Sequence, residues 1–466
     1  MAALSPLFDA ELLRRYDTPG PRYTSYPTAP QLSCDFRAPQ LRQMAQASND
    51  EDAARPLSLY VHVPFCSNPC FHCSHNRLIT RDASRSGPYL DRIANEVRML
   101  APLFDAQRQV QQVHVGGGTP NFLWPAQIAS LLDTLRGNFS FAPPEQIDCS
   151  IELDPRFISP ADVAQLAQAG FNRAHLGVQD FDPDVQRAIN REQDVDGTLA
   201  IMDACREQGM RSVTLQLVYG LPKQTLQGFM RTLDIALRAR PERLTVHGYT
   251  HLPALFRPQK QIRLEDLPSA ELKLELLRCA IDLIGEAGYV YLGMDHFALP
   301  DDDLALAQAR GALRRDFMGY TAHADSDLIG FGVSAFSRIG ASFSQNPRDL
   351  QDWEQAIDAG HLPVWRGMKL DDDDRLRADV IQQLMCHGRI VPAAIEQAHG
   401  IVFGDYFADA LARMQPLMDD GLVEAGSQAL RVTSRGRMLL RVVAMCFDRY
   451  LPAVPAASTS RFSRTA

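Results

Sequence analysis

Hydrophobic and polar residues alternate along six short segments of the chain, and stretches with helical spacing separate them. The segments span residues 58–63, 110–115, 146–153, 173–179, 211–219 and 243–250. Between the first two, Leu90, Ile93 and Val97 fall on one face of a predicted helix. Strands that alternate with helices predict an α/β fold with βαβ units and a parallel sheet. About six such units predict a partial βα barrel.

The alternation within the strands places polar side chains on one face of the predicted sheet. Tyr60, Glu152 and Gln179 fall on this face, because successive side chains of a strand point to opposite faces. A closed eight-stranded barrel fills its interior with packed branched side chains. A polar interior built from six strands predicts an open lumen that holds a polar ligand.

The pattern of alternating strands and helices is flanked by two regions of different character, so the sequence predicts a chain of three parts. Residues 1–56 are punctuated by glycine and prolines, above all at residues 20–27, and predict an extended N-terminal segment. Residues 57–370 hold the partial barrel and the segment that follows it. Residues 371–466 are mainly helical and predict a separate C-terminal domain.

The C-terminal domain has the pattern of a winged-helix module. Residues 421–424 and 429–433 predict a hairpin, which leads into a helix from Ser434. DNA binding is the alternative that this module raises, but the acidic run at residues 371–374 disfavours it. A lid or packing domain over the mouth of the barrel is the favoured interpretation.

Composition excludes several classes of protein. The chain has 466 residues, of which 45% are hydrophobic and 22% charged, and this excludes a disordered or fibrous protein. The net charge of -9 argues against a general surface for nucleic acids or anionic membranes. No apolar run approaches the ~18–20 residues of a membrane span, and Asp9 and Glu11 argue against a signal peptide. These features predict a cytoplasmic protein.

Three of the nine cysteines lie close together, in the sequence Cys66-Ser-Asn-Pro-Cys70-Phe-His-Cys73 directly after the first predicted strand. The odd number and the clustering favour a metal site in a reducing compartment over a disulfide framework. Active sites of barrels lie at this end of the strands. Three thiolates suit a [4Fe–4S] cluster with one open iron. A Cys3His zinc site completed by His72 or His75 is the alternative.

This loop resembles the signature of the radical S-adenosylmethionine (SAM) superfamily. Other segments narrow the resemblance to the oxygen-independent coproporphyrinogen III oxidase (dehydrogenase) family. These segments are GPRYTSYP (20–27), GGGTP (116–120), GVQDF (177–181), NREQ (190–193), YGLPKQ (219–224), GMDHF (293–297) and RFSR (461–464). The resemblance covers essentially the whole chain.

The resemblance implies a specific reaction. Cys66, Cys70 and Cys73 would bind a [4Fe–4S] cluster whose open iron is chelated by SAM, with two SAM molecules in all. Reductive cleavage of SAM would give a 5′-deoxyadenosyl radical that abstracts a propionate hydrogen from coproporphyrinogen III. Loss of carbon dioxide from two propionates would leave two vinyl groups and give protoporphyrinogen IX in haem biosynthesis. The resemblance also implies a monomer and a low-potential electron donor that the sequence does not identify.

The resemblance further implies which residues contact SAM. They are Tyr60, His72, Gly117, Gly118, Thr119, Glu152, Gln179, Arg191, Gln216, Thr250 and Phe336. Gln216 stands where the family has an aspartate, which places any carboxylate contact to the ribose at that position in doubt. Tyr60 is also assigned to catalysis.

The loop departs from the family pattern at His75, which replaces a fourth cysteine. We expect cluster binding to survive, since the three ligands are intact. Our hypothesis is that His75 assumes the hydrogen-bonding or proton-handling role of that cysteine beside the substrate. The four carboxylates of the substrate require cationic partners. Arg22 is the first candidate, because arginine binds a carboxylate bidentately, and Arg461 and Arg464 are further candidates.

Two alternatives to this enzyme remain open at the level of sequence. One is a haem-binding or haem-trafficking protein that keeps the cluster but performs no decarboxylation. The other is a different radical SAM reaction on a tetrapyrrole.

Overall fold

The computed structural model of the protein describes residues 6–323 and 325–451. Its strands are β1 (Leu57–Val63), β2 (Phe65–Cys66), β3 (Leu78–Ile79), β4 (Gln109–Gly117), β5 (Ser140–Phe141), β6 (Asp148–Leu153), β7 (Arg173–Gln179), β8 (Ser212–Tyr219), β9 (Arg243–Gly248), β10 (Val290–Gly293), β11 (His296–Ala298), β12 (Arg314–Asp316), β13 (Gly319–Thr321), β14 (Asp327–Phe331), β15 (Phe336–Arg338), β16 (Ser342–Gln345), β17 (Arg366–Lys369), β18 (Arg389–Ile390), β19 (Val423–Ala425) and β20 (Leu430–Val432).

Its α-helices are α1 (Ala10–Arg15), α2 (Ala38–Glu51), α3 (Ser86–Leu100), α4 (Pro125–Arg136), α5 (Pro160–Ala169), α6 (Pro183–Ala188), α7 (Val195–Glu207), α8 (Leu226–Ala239), α9 (Ala270–Glu286), α10 (Asp303–Arg310), α11 (Leu350–Asp358), α12 (Asp372–His387), α13 (Pro392–His399), α14 (Phe403–Tyr406), α15 (Ala408–Asp419) and α16 (Leu440–Met445). From β1 to β9, strands and helices alternate as the pattern predicts.

One large sheet organises the molecule. Its central strands run parallel in the order β9-β8-β7-β6-β4-β1-β14, and antiparallel strands continue it to β10 at one end and to β17 at the other. The two ends of the sheet are not joined. The prediction of a partial barrel is therefore confirmed. The six predicted strands correspond to β1, β4, β6, β7, β8 and β9, and β14 adds a seventh parallel strand.

The apolar face of the sheet packs against the helices in one continuous core. Leu59 and Val61 of β1 and Leu215 of β8 are fully buried there, together with Ile93 and Val97 of α3. Burial of a side chain of this size contributes roughly 1.5–3 kcal/mol. The packed apolar face leaves the polar face of the same strands free to line the lumen.

The N-terminal segment contains two helices that the sequence analysis does not predict, on either side of an extended stretch. Leu41, Met44 and Ala45 of α2 are buried against the barrel core at helical spacing. Tyr23 and Tyr26 lie in a different core, which they share with the C-terminal helices. The segment therefore packs on both of the other parts of the chain.

The C-terminal region is mainly helical with a small antiparallel sheet, as predicted. The predicted hairpin is present as β19 and β20, and β18 pairs with β20. The following α-helix begins at Leu440, later than the predicted Ser434. Residues 433–436 form a turn instead, in which Gly436 packs against the carbonyl of Leu422 with no room for a side chain. No helix among the described residues combines the length and apolarity that a membrane crossing requires.

Candidate functional site

The cysteine loop begins where β1 ends. Cys66 lies in β2, which pairs with β3, and its Sγ is 3.1 Å from the Oγ1 of Thr119. Burial raises the pKa of the Cys66 thiol to about 11. Cys70 and Cys73 are partly buried in the same loop. The Thr119 contact ties the loop to the turn after β4, which the sequence analysis assigns to SAM.

The glycines of this turn are required by close packing. Gly117 has a φ of +127°, and a Cβ there would lie 2.6 Å from the carbonyl oxygen of Val63. A Cβ on Gly118 would lie 2.7 Å from the carbonyl oxygen of Pro64 and 3.0 Å from the Sγ of Cys66. Only glycine lets the backbone lie so close to the cysteine loop. The turn and the loop together form a cradle in which Gly117 and Gly118 place backbone without side chains against the loop.

Two arginines contact the thiol of Cys70. An N–H of Arg191 lies 3.6 Å from Sγ and an N–H of Arg156 lies 3.7 Å from it. Both guanidinium groups also pair with the buried Asp154, at 2.8 Å and 2.7 Å. This network places Arg191 next to the cysteine loop, and its predicted contact with SAM stays a prediction. The sequence analysis missed Asp154 and Arg156, although their place directly after β6, at the functional end of the sheet, is a signal for them.

A cavity of about 430 Å³ opens over the polar face beside the cysteine loop. It is lined by Tyr60, His62, His75, Asn76, His114, Gly117, Glu152, Phe317, Met318, Leu328, Ser334, Phe336, Gln345, Arg348 and Arg366. Five residues of the predicted site, Tyr60, His75, Gly117, Glu152 and Phe336, are thus brought together. They come from strands far apart in sequence, as the argument from strand faces predicts for Tyr60 and Glu152.

Glu152 is the carboxylate of this cavity. It accepts a hydrogen bond from the backbone N–H of Gly117 at 3.0 Å and lies 3.4 Å from the Nε2 of His114. Burial is the largest influence and opposes its ionisation, but the hydrogen bond with His114 and the nearby imidazoles of His114, His75 and His175 together outweigh burial and lower the pKa of Glu152 to about 2. The ring of Tyr60 stacks on His114 with centroids 5.9 Å apart. A fixed negative charge therefore lies at the base of the glycine turn.

Four other predicted SAM contacts, His72, Gln179, Gln216 and Thr250, are not among the residues that line this cavity. Gln179 donates from Nε2 to the Oε1 of Gln216 at 3.5 Å. Gln259, which the sequence analysis did not identify, donates to the carbonyl of His72 at 3.3 Å and to that of Thr250 at 3.2 Å. These contacts link Gln179 to Gln216 and, through Gln259, His72 to Thr250, and the contact of all four residues with SAM stays a prediction.

Arg22 lies elsewhere. Its guanidinium contacts the carboxylate of Asp295, which also lies 2.8 Å from the Nδ1 of His247. The charge of Arg22 is thus already compensated within the protein, and its role toward the substrate stays a prediction. Arg461 and Arg464 lie outside the described residues.

The residues around the cradle fit a cluster with SAM. Three buried polar atoms, Nδ1 of His72, Oε1 of Gln179 and Nε of Arg191, have no hydrogen-bond partner in the part of the chain that the structure describes. Buried polar atoms normally have a partner, so a bound ligand is the natural one here. No group of three or more His, Cys, Asp or Glu side chains in the same residues could hold a single metal ion.

The comparisons with known proteins agree over nearly the full length of the chain. Residues 60–236 match the model of the Radical SAM superfamily, and residues 370–439 match that of the HemN C-terminal domain. The oxygen-independent coproporphyrinogen III oxidases of Pseudomonas aeruginosa and Escherichia coli are 46% and 45% identical to this chain, and each alignment covers 98% of both chains.

A solved structure extends this similarity to the fold. It is that of coproporphyrinogen III oxidase (HemN) from Escherichia coli, which its authors describe as a radical SAM enzyme. It matches with a TM-score of 0.91 and 44% identity, over 96% of this chain and 100% of that chain. Since sequence, fold and the residues of the cradle all agree, the chain belongs to the oxygen-independent coproporphyrinogen III oxidase family of the radical SAM superfamily.

Proposed function

We propose that this protein decarboxylates two propionate groups of coproporphyrinogen III oxidatively to vinyl groups and so forms protoporphyrinogen IX. Its cofactors are a [4Fe–4S] cluster and SAM. The observation that carries the proposal is the joint lining of one cavity by Tyr60, Gly117, Glu152 and His75 beside the cysteine loop. The full-length relatives support the choice of substrate.

In this proposal Cys66, Cys70 and Cys73 hold the cluster. When bound, the cluster and SAM supply a hydrogen-abstracting carbon radical. The guanidinium groups of Arg156 and Arg191 lie beside the Cys70 sulfur, where they offset the negative charge of the thiolate. Their ion pairs with the buried Asp154 fix the position of both groups.

The glycine turn and Glu152 would orient SAM. Gly117 and Gly118 provide backbone groups without side chains, and the Glu152 carboxylate offers a partner for the positive charge of SAM. Glu152 is held in place by Gly117 and His114. Its side chain therefore loses little conformational freedom when the ligand binds. Tyr60, stacked on His114, would close the floor of the cavity against water.

The position of His75 supports the hypothesis of a substrate-side role. Its imidazole lines the cavity, and its backbone N–H lies 3.5 Å from the Sγ of Cys73. We propose that the imidazole hydrogen-bonds to the substrate or to an intermediate near the cluster. Gln216 would contact the ribose through its amide where the family has a carboxylate.

The finer features of the proposal rest on the resemblance. We propose that the protein acts as a monomer in the cytoplasm, without a nucleic-acid or membrane partner, and that it receives electrons from a low-potential donor. A second bound SAM and the three-part division at residues 56 and 370 belong to the same proposal. The nine cysteines support a reducing compartment, since all of them are free in the structure.

Anaerobic turnover tests the proposed function. The protein is reconstituted with iron and sulfide and supplied with SAM, a reductant and coproporphyrinogen III, and the products are identified by mass. We expect protoporphyrinogen IX, 5′-deoxyadenosine and methionine. The Cys66→Ala variant should form none of them, whereas Cys279→Ala, which changes a cysteine outside the loop, should retain activity.

The same assay separates the alternatives. Cleavage of SAM without loss of carboxyl groups from the substrate would contradict the proposed decarboxylation. It would direct attention to a haem-binding protein, detectable by spectroscopic titration with haem, or to another radical reaction on a tetrapyrrole, detectable as a product of different mass.

A further inference from the structure

The cavity has a second side on which only Phe336 is assigned so far, as a predicted SAM contact. Part of its lining comes from β15, β16, β17 and the segments that flank them, which are separated in the sheet from the strand of Glu152 by β4, β1 and β14. This wall contributes two arginines, Arg348 and Arg366, whereas Glu152 is the single carboxylate among the lining residues. The two sides of the cavity therefore carry opposite charges.

Neutral groups contact the side chain of Arg366 and the backbone of Arg348. Arg366 donates from Nε to the Oε1 of Gln345 at 2.9 Å, and its guanidinium lies over the ring of Trp365 at 4.6 Å. The carbonyl of Arg348 accepts a hydrogen bond from Asn76 at 3.1 Å, which ties this residue to the end of the cysteine loop. Within residues 6–323 and 325–451, neither guanidinium forms an ion pair with a carboxylate.

Their positive charges also act on each other. Burial and the nearby Arg348 guanidinium lower the pKa of Arg366. Two like charges at the wall of a cavity repel each other, and a bound anion relieves the repulsion. Arg156 and Arg191 beside the cysteine loop differ in this respect, since they share the carboxylate of Asp154.

An apolar surface lies next to the arginine pair. Phe317 and Phe336 stack with ring centroids 4.2 Å apart and an interplanar angle of 13°, and Met318 and Leu328 continue this surface. Aromatic and aliphatic side chains of this kind bury the ring systems of a ligand, while a few charged groups fix its orientation. A ligand of this wall should have apolar rings with acidic side chains.

We propose that Arg348 and Arg366 form a carboxylate-binding subsite that holds a propionate group of the tetrapyrrole substrate while its pyrrole rings lie on Phe317 and Met318. The inference rests on the proposed function for the identity of the substrate. Arginine binds carboxylates through two parallel N–H···O hydrogen bonds. The subsite would place the substrate across the cavity from Glu152, with the reacting propionate directed toward the SAM side.

Direct binding of a stable porphyrin tests the subsite without turnover. Coproporphyrin III, the oxidised form of the substrate, is titrated into the reconstituted protein under anaerobic conditions and followed by its fluorescence. SAM binding is measured separately by equilibrium dialysis. The variants are Arg348→Gln, Arg366→Gln and the double variant, and Arg42→Gln on the exposed face of α2 is the matched control.

We expect the double variant to bind coproporphyrin III at least about 10-fold more weakly, because it loses charged hydrogen bonds to the carboxylate. Its affinity for SAM should be unchanged within about 2-fold. Arg42→Gln should bind like the wild type. Arg366→Lys, which keeps the charge and tests folding, should lose less affinity than Arg366→Gln. The tetramethyl ester of coproporphyrin III should bind the wild type and the double variant equally.

Two outcomes would overturn the subsite. One is unchanged coproporphyrin affinity in the double variant, and the other is a loss confined to SAM, which would assign the arginines to the SAM carboxylate. A wild-type protein that binds coproporphyrin III through this pair but forms no protoporphyrinogen IX would contradict the proposed function and leave the subsite standing. The two proposals can thus fail separately.

Discussion

A single methyl group should disrupt the cradle at Gly118. A Cβ there would approach the carbonyl oxygen of Pro64 to 2.7 Å and the Sγ of Cys66 to 3.0 Å, and a backbone atom cannot move aside as a flexible side chain can. We expect Gly118→Ala to lose at least about 10-fold in SAM affinity and to bind less iron per protein after reconstitution. Equilibrium dialysis and iron analysis measure the two effects.

The control for this change is Gly87→Ala at the start of α3. A Cβ on Gly87 has nothing within 4 Å, so the variant should match the wild type in iron content and SAM affinity. Normal SAM binding by Gly118→Ala would show that the cradle is wider than the structure indicates.

His75 provides a second test at the scale of one residue. Its imidazole lines the cavity, whereas its backbone lies beside Cys73. We therefore expect His75→Ala to retain its cluster, measured as iron and sulfide content and visible absorption, but to lose at least about 10-fold in turnover, within the range of a lost catalytic hydrogen bond. Full turnover by this variant would end the hypothesis, and His75→Cys, which restores the family residue, should remain active.

Single residues also show where sequence reasoning is sufficient. Tyr60 and Glu152 could be assigned to the lumen because side-chain direction along a strand follows from its period of two. Arg348 follows β16 in a loop and Arg156 follows β6 in a three-residue 3-10 helix, and neither segment is long enough for a periodicity to predict which way a side chain points. Their partners, Asn76 and Cys70, are distant in sequence, so only the folded chain reveals these contacts.

At the scale of elements, periodicity predicts the six strands of the barrel closely but misses β14. The first six alternate between apolar and polar residues and are separated by helices. β14 (Asp327–Phe331) is buried at all five positions, and its neighbours β15 to β17 are antiparallel. A short buried run without alternation cannot be distinguished from other core segments by its pattern. Helix α2 is not predicted from the sequence, because the prolines and the glycine of residues 1–56 indicate an extended segment. They obscure the helical spacing of Leu41, Met44 and Ala45.

The contact of α3 with the loops after β14 and β16 should make stability depend on pH. Burial raises the pKa of Glu96 to about 7, although hydrogen bonds from Gly332 at 2.8 Å and Asn346 at 2.7 Å favour its charged form. The folded protein therefore retains a proton that the unfolded chain releases near its ordinary pKa of 4.5. The resulting stabilisation is complete below pH 4.5 and is lost as the pH rises toward 7.

The substitution Glu96→Gln isolates this contribution. The rise in the pKa of Glu96 from 4.5 to about 7 corresponds to roughly 3 kcal/mol of unfolding free energy, lost between a pH below 4.5 and a pH above 7. In thermal unfolding at pH 5, 6, 7 and 8, the melting temperature of the variant should rise relative to that of the wild type between pH 5 and 7, and level off above. A difference that stays constant with pH would show that Glu96 titrates normally. Glu207, an exposed carboxylate on α7, is the matched control position.

At the scale of the whole molecule, the N-terminal segment connects the barrel to the C-terminal helices. Helix α2 packs on the barrel core, while Tyr23 and Tyr26 belong to the core of the C-terminal helices. The hydroxyl of Tyr23 donates to Asp448 at 3.0 Å, and the hydroxyl of Tyr26 accepts from the backbone N–H of Arg449 at 3.0 Å. The position of the C-terminal helices thus depends on a segment more than 400 residues away in sequence.

Removing the ring of Tyr23 should therefore loosen the C-terminal region more than the barrel. Replacing a buried aromatic residue by alanine costs about 3–5 kcal/mol, and Tyr23 is 2% exposed. We expect Tyr23→Ala to accelerate proteolytic cleavage within residues 371–451 while the cysteine loop retains its iron. Leu7→Ala, at a residue that is 56% exposed, should leave the cleavage pattern unchanged. Cleavage of Tyr23→Ala at the wild-type rate would mean that the C-terminal helices are held without the N-terminal segment. Faster cleavage throughout the barrel would mean that all three parts unfold together, and the two cores would then be one cooperative unit.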